Sequence, residues 1–135
     1  MSGQYPLPPG AQAVLRVLVV DDEPVVGDLI ADVLSQENWV VQRVLSGEAG
    51  LQALEQGPYD LIILDLKMPG MSGQEFYAHL ERRHPELVRR VVVCTGSFLD
   101  DADFKFLRHT GAQVVPKPFT LEQLWQVVQQ VLEQG

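Results

Sequence analysis

Two of the short apolar runs in this sequence end on aspartate, one ends on threonine and one on lysine. Asp21 and Asp22 follow Leu15-Arg16-Val17-Leu18-Val19-Val20, and Asp65 follows Leu61-Ile62-Ile63-Leu64. Thr95 follows Val91-Val92-Val93-Cys94, and Lys117 follows Gln113-Val114-Val115-Pro116. If these ends meet, three carboxylates crowd together and repel, and one or more must hold a proton unless a cation joins them. A hard divalent cation with oxygen ligands resolves the conflict. Mg²⁺ fits best: it takes one or two carboxylates, keeps waters and shares phosphate oxygens. Lys117 adds a point positive charge and Thr95 a hydroxyl donor. Such a pocket suits a phosphoryl group, whose charge Mg²⁺ and Lys117 would neutralise while an aspartate oxygen attacks in line. Asp65, on the central run, is the candidate nucleophile, and the product is an aspartyl phosphate. The plainer reading is a charge-balanced cluster without chemistry. Any one member is weak evidence, but four run ends bearing these groups in this order are not.

A parallel sheet is what would bring the ends together. Leu61 to Leu64 has no polar break, as in a strand buried on both faces. The loop Met68-Pro69-Gly70-Met71-Ser72-Gly73 that follows suits neither helix nor strand. Pro24 opens a helix to about Glu37, with Val26, Leu29, Ile30, Val33 and Leu34 as its apolar face. Trp39 to Leu45 is a second strand. Ser46 caps a short helix from Ala49 to Gln56, stopped by Gly57-Pro58. Gln74 to His84 is a helix with Phe76, Tyr77 and Leu80 on one side, closed by Pro85. Asp100 to His109 is another, stopped by Gly111. Thr120 with Gln123 forms a capping-box pattern before a last helix from Leu121 to Glu133. Strand and helix alternate five times, which implies a parallel sheet covered on both faces. Right-handed crossovers and a switch point beside the first strand favour a flavodoxin-like (βα)5 three-layer sandwich, with strand order 2-1-3-4-5.

With 135 residues, 46% of them hydrophobic, the chain has room for one domain, expected over residues 14–135. Pro6, Pro8, Pro9 and Gly10 make residues 1–13 a flexible tail or linker. A net charge of −8 does not attract nucleic acid or an anionic membrane. The basic cluster from Arg82 to Arg90 reads as a solvated helix end. Cys94 is the single cysteine and sits in an apolar run, so it reads as a small core residue. No signal peptide or membrane-spanning segment is legible, so a cytoplasmic protein is expected.

The runs and their ends resemble the receiver domain of two-component response regulators. Val17 to Pro24 (VLVVDDEP), Asp65 to Gly73 (DLKMPGMSG), Val91 to Gly96 (VVVCTG) and Lys117 to Thr120 (KPFT) match that family's four motifs in order, over about Arg16 to Leu132. The resemblance implies that Asp65 accepts a phosphoryl group from a histidine of a sensor histidine kinase or a histidine phosphotransfer protein. It implies Asp22 as a direct Mg²⁺ ligand, Asp21 as a ligand mainly through water, and the Lys67 carbonyl as the remaining protein ligand. Thr95 would bind the phosphoryl group, Lys117 would pair with one of its oxygens, and the Lys117–Pro118 peptide would be cis. Output would come from the fourth helix, fifth strand and fifth helix, which bind a downstream protein. The chain would not be an enzyme beyond its own phosphorylation and slow dephosphorylation.

The sequence departs from the family pattern at several positions. Val114 stands where many receivers carry an aromatic, and Pro116 directly precedes Lys117. Gly96 leaves room for the phosphoryl group. Lys67 and Ser97 flank the phosphorylation site, where the family tunes phosphate lifetime. The stretch from Arg90 to Phe119 looks more like receivers of hybrid sensor kinases than like DNA-binding regulators. The last helix carries Gln123, Gln126, Gln129 and Gln130 in place of the alternating charges used for dimerisation, so a monomer or weak homodimer is expected. Its apolar arc, with Trp125 and Val127 at the margins, reads either as a wide core face or as a partner or dimer surface, and Phe106 is expected to be exposed near it. One alternative is a phosphate-independent pseudo-receiver that only docks. Another is a Mg²⁺-dependent aspartyl-phosphate phosphatase of the haloacid-dehalogenase kind, but those place an acid two residues after the nucleophile, where this chain has Lys67.

Overall fold

The computed structural model describes residues 14–35, 39–96 and 98–134. The expected tail at 1–13, the end of the first helix at Glu37, and Ser97 lie outside the described residues. Among the described residues five strands and five α-helices alternate: β1 (Arg16–Val20), α1 (Pro24–Ser35), β2 (Val40–Val44), α2 (Gly47–Gln56), β3 (Leu61–Leu64), α3 (Gly73–Arg83), β4 (Val91–Thr95), α4 (Asp101–Thr110), β5 (Gln113–Pro116) and α5 (Leu121–Gln134). A 3₁₀ helix at Pro85–Arg90 joins α3 to β4. The sheet is parallel throughout, in the order β2-β1-β3-β4-β5.

Successive side chains of a strand face opposite ways, so a strand buried on both sides feeds two cores. Val17, Val19, Leu61, Ile63, Val92 and Cys94 pack under α1 and α5, against Ile30, Leu34, Leu124 and Val128. Leu18, Val20, Ile62, Leu64 and Val93 pack under α2 and α3, against Ala53, Leu54, Phe76, Tyr77 and Leu80. This is why β3 shows no polar break: all four of its residues are buried. The edge strand β2 is largely exposed by contrast.

The helix starts follow their sequence signals. Ser46 Oγ accepts from the Ala49 amide at 3.1 Å. Ser72 and Glu75 close a reciprocal capping box, as do Asp100 with Asp103 and Thr120 with Gln123. Each such cap contributes about 1 kcal/mol. Gly111 ends α4 at φ 68°, a left-handed conformation that glycine adopts without a Cβ clash.

Two expectations about helix faces need correction. Leu29 of α1 is 41% exposed; the buried seam is Gly27, Ile30 and Leu34. Leu29 lies about 100° from Ile30 around the helix, at the edge of the contact stripe. On α4 it is Phe104 that faces solvent, at 52% exposure, while Phe106 packs edge-on against Tyr77 of α3 with centroids 5.1 Å apart. The face of α4 is set by Asp103, which is buried and brings Phe106 and Leu107 inward with it. At the margins of α5, Trp125 and Val127 are partly buried, and Trp125 stacks on Trp39 at 5.5 Å.

Gly73 fixes how closely α3 approaches the end of β3. A Cβ there would lie 2.3 Å from the Asp65 carbonyl oxygen and 2.6 Å from the Leu66 Cα, while its amide bonds the Leu66 carbonyl at 3.0 Å. Gly73→Ala is therefore expected to cost about 2–4 kcal/mol in urea unfolding, because backbone must move. Gly57→Ala, where a Cβ meets nothing within 4 Å, should change the same measurement by less than about 0.5 kcal/mol.

Candidate functional site

Register places the strand ends side by side. Val20 is level with Leu64, and Leu64 with Val93, so Asp21 and Asp65 follow matched residues on adjacent strands. The Asp65 amide donates to the Val20 carbonyl at 3.0 Å, and the Asp21 amide to the Val44 carbonyl at 3.2 Å. Thr95 is level with Pro116, and the Lys117 amide donates to the Thr95 carbonyl at 2.8 Å. Pro116 lacks an amide hydrogen and is tolerated because β5 is an edge strand. Asp21, Asp65, Thr95 and Lys117 thus gather at one edge of the sheet, with Asp22 beside them. The Lys117–Pro118 peptide is cis.

The Lys117 ammonium binds this edge together. Its Nζ lies 2.9 Å from Asp21 Oδ2, 3.3 Å from Asp65 Oδ2 and 2.7 Å from Glu23 Oε1. Burial alone would depress the lysine, but hydrogen bonds to Glu23 and Asp21 and the charge of Asp65 hold it well above its ordinary range. Asp21 shows the opposite balance. Burial pushes its carboxyl up, against the bonds from Lys117 and the Glu23 amide. Asp65 is almost fully buried, with each oxygen occupied: Oδ1 accepts from the Lys67 amide at 3.1 Å, and Oδ2 from Lys117.

Glu23 and Asp103 escaped the sequence reading. Glu23 reads as one more helix-start acid, yet it reaches across the site to Lys117. Asp103 is the inward half of a capping box, and the Asp-x-x-Asp spacing from Asp100 was the available signal. Its carboxylate pairs with Lys67 Nζ at 2.5 Å and accepts from Gln74 Nε2 at 2.8 Å. Burial would raise its pKa, but the Lys67, Asp100 amide and Gln74 bonds outweigh burial and hold it below the ordinary value. The Lys67 side chain is therefore turned toward α4. Cys94 is a buried core residue, and burial pushes its thiol up to about 12.

The donor set fits both a divalent cation and a phosphoryl group. Asp21, Asp22 and Asp65 each place a carboxylate oxygen within 4.8 Å of the others, a spread that suits an oxygen-loving ion keeping some of its waters. The Thr95 hydroxyl is buried and has no hydrogen-bond partner among the described residues. A buried hydroxyl without a partner costs about 1–3 kcal/mol, which an incoming oxygen would recover. Beyond its chain neighbours, a Cβ at Gly96 would meet none of the described residues within 4 Å.

The model of the response regulator receiver domain matches residues 17–129. The chain belongs to the response regulator receiver domain family. The receiver is 32% identical over 111 residues to the transcriptional regulatory protein TcrA of Mycobacterium tuberculosis, covering 82% of this chain and 43% of that protein. It is 30% identical to the crystallised receiver domain of NtrX from Brucella abortus, with a TM-score of 0.78 over 88% of this chain and 99% of that one. The chemotaxis protein CheY4 of Vibrio cholerae, 24% identical, shares the fold with a TM-score of 0.78, covering 88% of this chain and 99% of that one. The receiver spans about half or less of the length of the curated relatives it matches. Membership places it in two-component signalling. Among the described residues no helix is long and apolar enough to cross a membrane.

The orphaned hydroxyl gives a stability prediction. Thr95→Val keeps the shape and removes the unmet polar group, so the receiver should gain about 1 kcal/mol in urea unfolding. An unchanged or lower midpoint would mean that the hydroxyl finds a partner in solution.

Proposed function

We propose that the receiver is a phosphoacceptor switch in which Asp65 takes a phosphoryl group from a phosphohistidine of its partner. The observation that carries this is the meeting of Asp65 and Lys117 at one sheet edge with the buried Thr95 hydroxyl, which has no partner among the described residues. In the transfer, the bond from phosphorus to the partner's imidazole nitrogen breaks as a bond to an Asp65 oxygen forms. The imidazole nitrogen keeps the electron pair. Lys117 holds Asp65 Oδ2 now and would hold a phosphoryl oxygen afterwards. The Lys67 amide steadies Oδ1 and so orients the carboxylate for in-line attack. The Thr95 hydroxyl would donate to the incoming group.

Asp21, Asp22, Asp65 and the Lys67 carbonyl would hold Mg²⁺, which when bound offsets the negative charge that builds on the phosphoryl oxygens. Among the described residues Lys117 is the lysine that pairs with Asp21 and Asp65, so the three-carboxylate site carries surplus negative charge that a dianionic donor would otherwise meet. The switched surface is α4, β5 and α5, where a downstream protein would bind. A protein partner suits the chain's acidic balance better than nucleic acid. The domain would span residues 14–135, in a cytoplasmic protein that is a monomer or weak dimer.

Intact mass after incubation with acetyl phosphate, with and without Mg²⁺, tests this. One phosphoryl adduct should appear only with Mg²⁺ and vanish in Asp65→Asn. No adduct on folded protein would favour the docking module that works without phosphate. An adduct that persists in Asp65→Asn would assign the nucleophile to another carboxylate.

A further inference from the structure

Helix α4 is attached to the domain differently from α3 and α5. Its one fully buried residue is a carboxylate, Asp103, and its apolar residues Phe106 and Leu107 are only partly buried. Asp103 accepts from the Asp100 amide at 3.0 Å, which closes the cap of α4, and from Gln74 of α3 at 2.8 Å. Its cation is Lys67, at 2.5 Å. Lys67 is also the residue whose amide bonds Asp65 Oδ1 at 3.1 Å. An unbroken run of polar contacts therefore leads from Asp65, through the backbone and then the ammonium of Lys67, to the first turn of α4.

We propose that the Lys67–Asp103 pair is a clamp that couples the state of Asp65 to the first turn of α4. The proposal rests on the phosphoacceptor reading and adds a route out of the site. The Lys67 ammonium is half-exposed on a flexible stem, whereas Asp103 is fixed and buried. A phosphoryl group on Asp65 adds negative charge near Lys67 and competes with Asp103 for the ammonium. Once the ammonium turns, Asp103 is a buried anion that has lost its cation, an unfavourable state. Solvating it requires the Asp100–Asp103 cap to open. Few apolar contacts hold that turn in place, so it is the segment that yields. Coupling of this kind is reciprocal: loosening the clamp must also shift how Asp65 holds a phosphoryl group.

Amide hydrogen exchange on the full chain tests the clamp, with beryllofluoride and Mg²⁺ as the phosphoryl mimic. Fluorine resonance of the same samples reads occupancy of Asp65. In the wild type, beryllofluoride should speed exchange in the first turn of α4 by about tenfold, while the buried amides of α5 stay protected. Lys67→Met and Asp103→Asn should exchange fast there already and respond less than about twofold to the mimic. Protected α5 amides verify that both variants are folded. Occupied Asp65 with unchanged α4 exchange, or variants that respond as the wild type does, would overturn the clamp alone. No bound fluorine signal would overturn the phosphoacceptor reading and remove the state that the clamp senses.

Discussion

Like charges brought to one edge of a parallel sheet repel, and the structure is built around containing that repulsion. Asp21 and Asp65 are driven together by register, because their strands are adjacent and end level. Both are nearly free of solvent, so water does little to screen them. Lys117 meets both, and it reaches them because its own amide bonds the Thr95 carbonyl at the end of β4. Removing β5 from the sheet would remove the counter-charge. The fold and the electrostatics of the site therefore depend on each other.

The same edge explains why nearby glycines matter. The backbone of β3 ends against the start of α3, with room at Gly73 for a hydrogen and nothing larger. Closeness there positions the cap of α3 and the loop that carries the Lys67 amide to Asp65. At Gly96, next in sequence to Thr95, the opposite holds, and a Cβ would meet no other described residue within 4 Å. Tight packing beneath the site and room above it are two requirements that a strand-end carboxylate places on its neighbours.

Much of this was legible in the sequence, for identifiable reasons. Strand order followed from alternation and crossover handedness, and helix starts from local cap chemistry that acts over three residues. Asp21, Asp65, Thr95 and Lys117 were legible because each ends an apolar run, and run ends in a parallel sheet share an edge. Glu23 and Asp103 were not, because their partners lie far along the chain and their own neighbourhoods look like ordinary helix starts. The error at Phe106 has the same origin. Helical projection assumes that apolar residues choose the buried face, whereas in α4 a paired carboxylate chooses it. Leu29 failed more simply, since an apolar stripe is narrower than the list of apolar residues that could join it.

The chain contains two tryptophans, Trp39 and Trp125, and they stack on each other. Trp39 lies just before β2, at the opposite end of the sheet from Asp65, within the layer under α1 and α5. The ultraviolet emission of this protein is therefore a reporter of whether α5 is seated on the sheet. It is a poor witness to what arrives at the acidic edge. An optical titration that stays flat would say nothing about binding there, while a change in emission would mean that the contact between Trp39 and α5 had been disturbed.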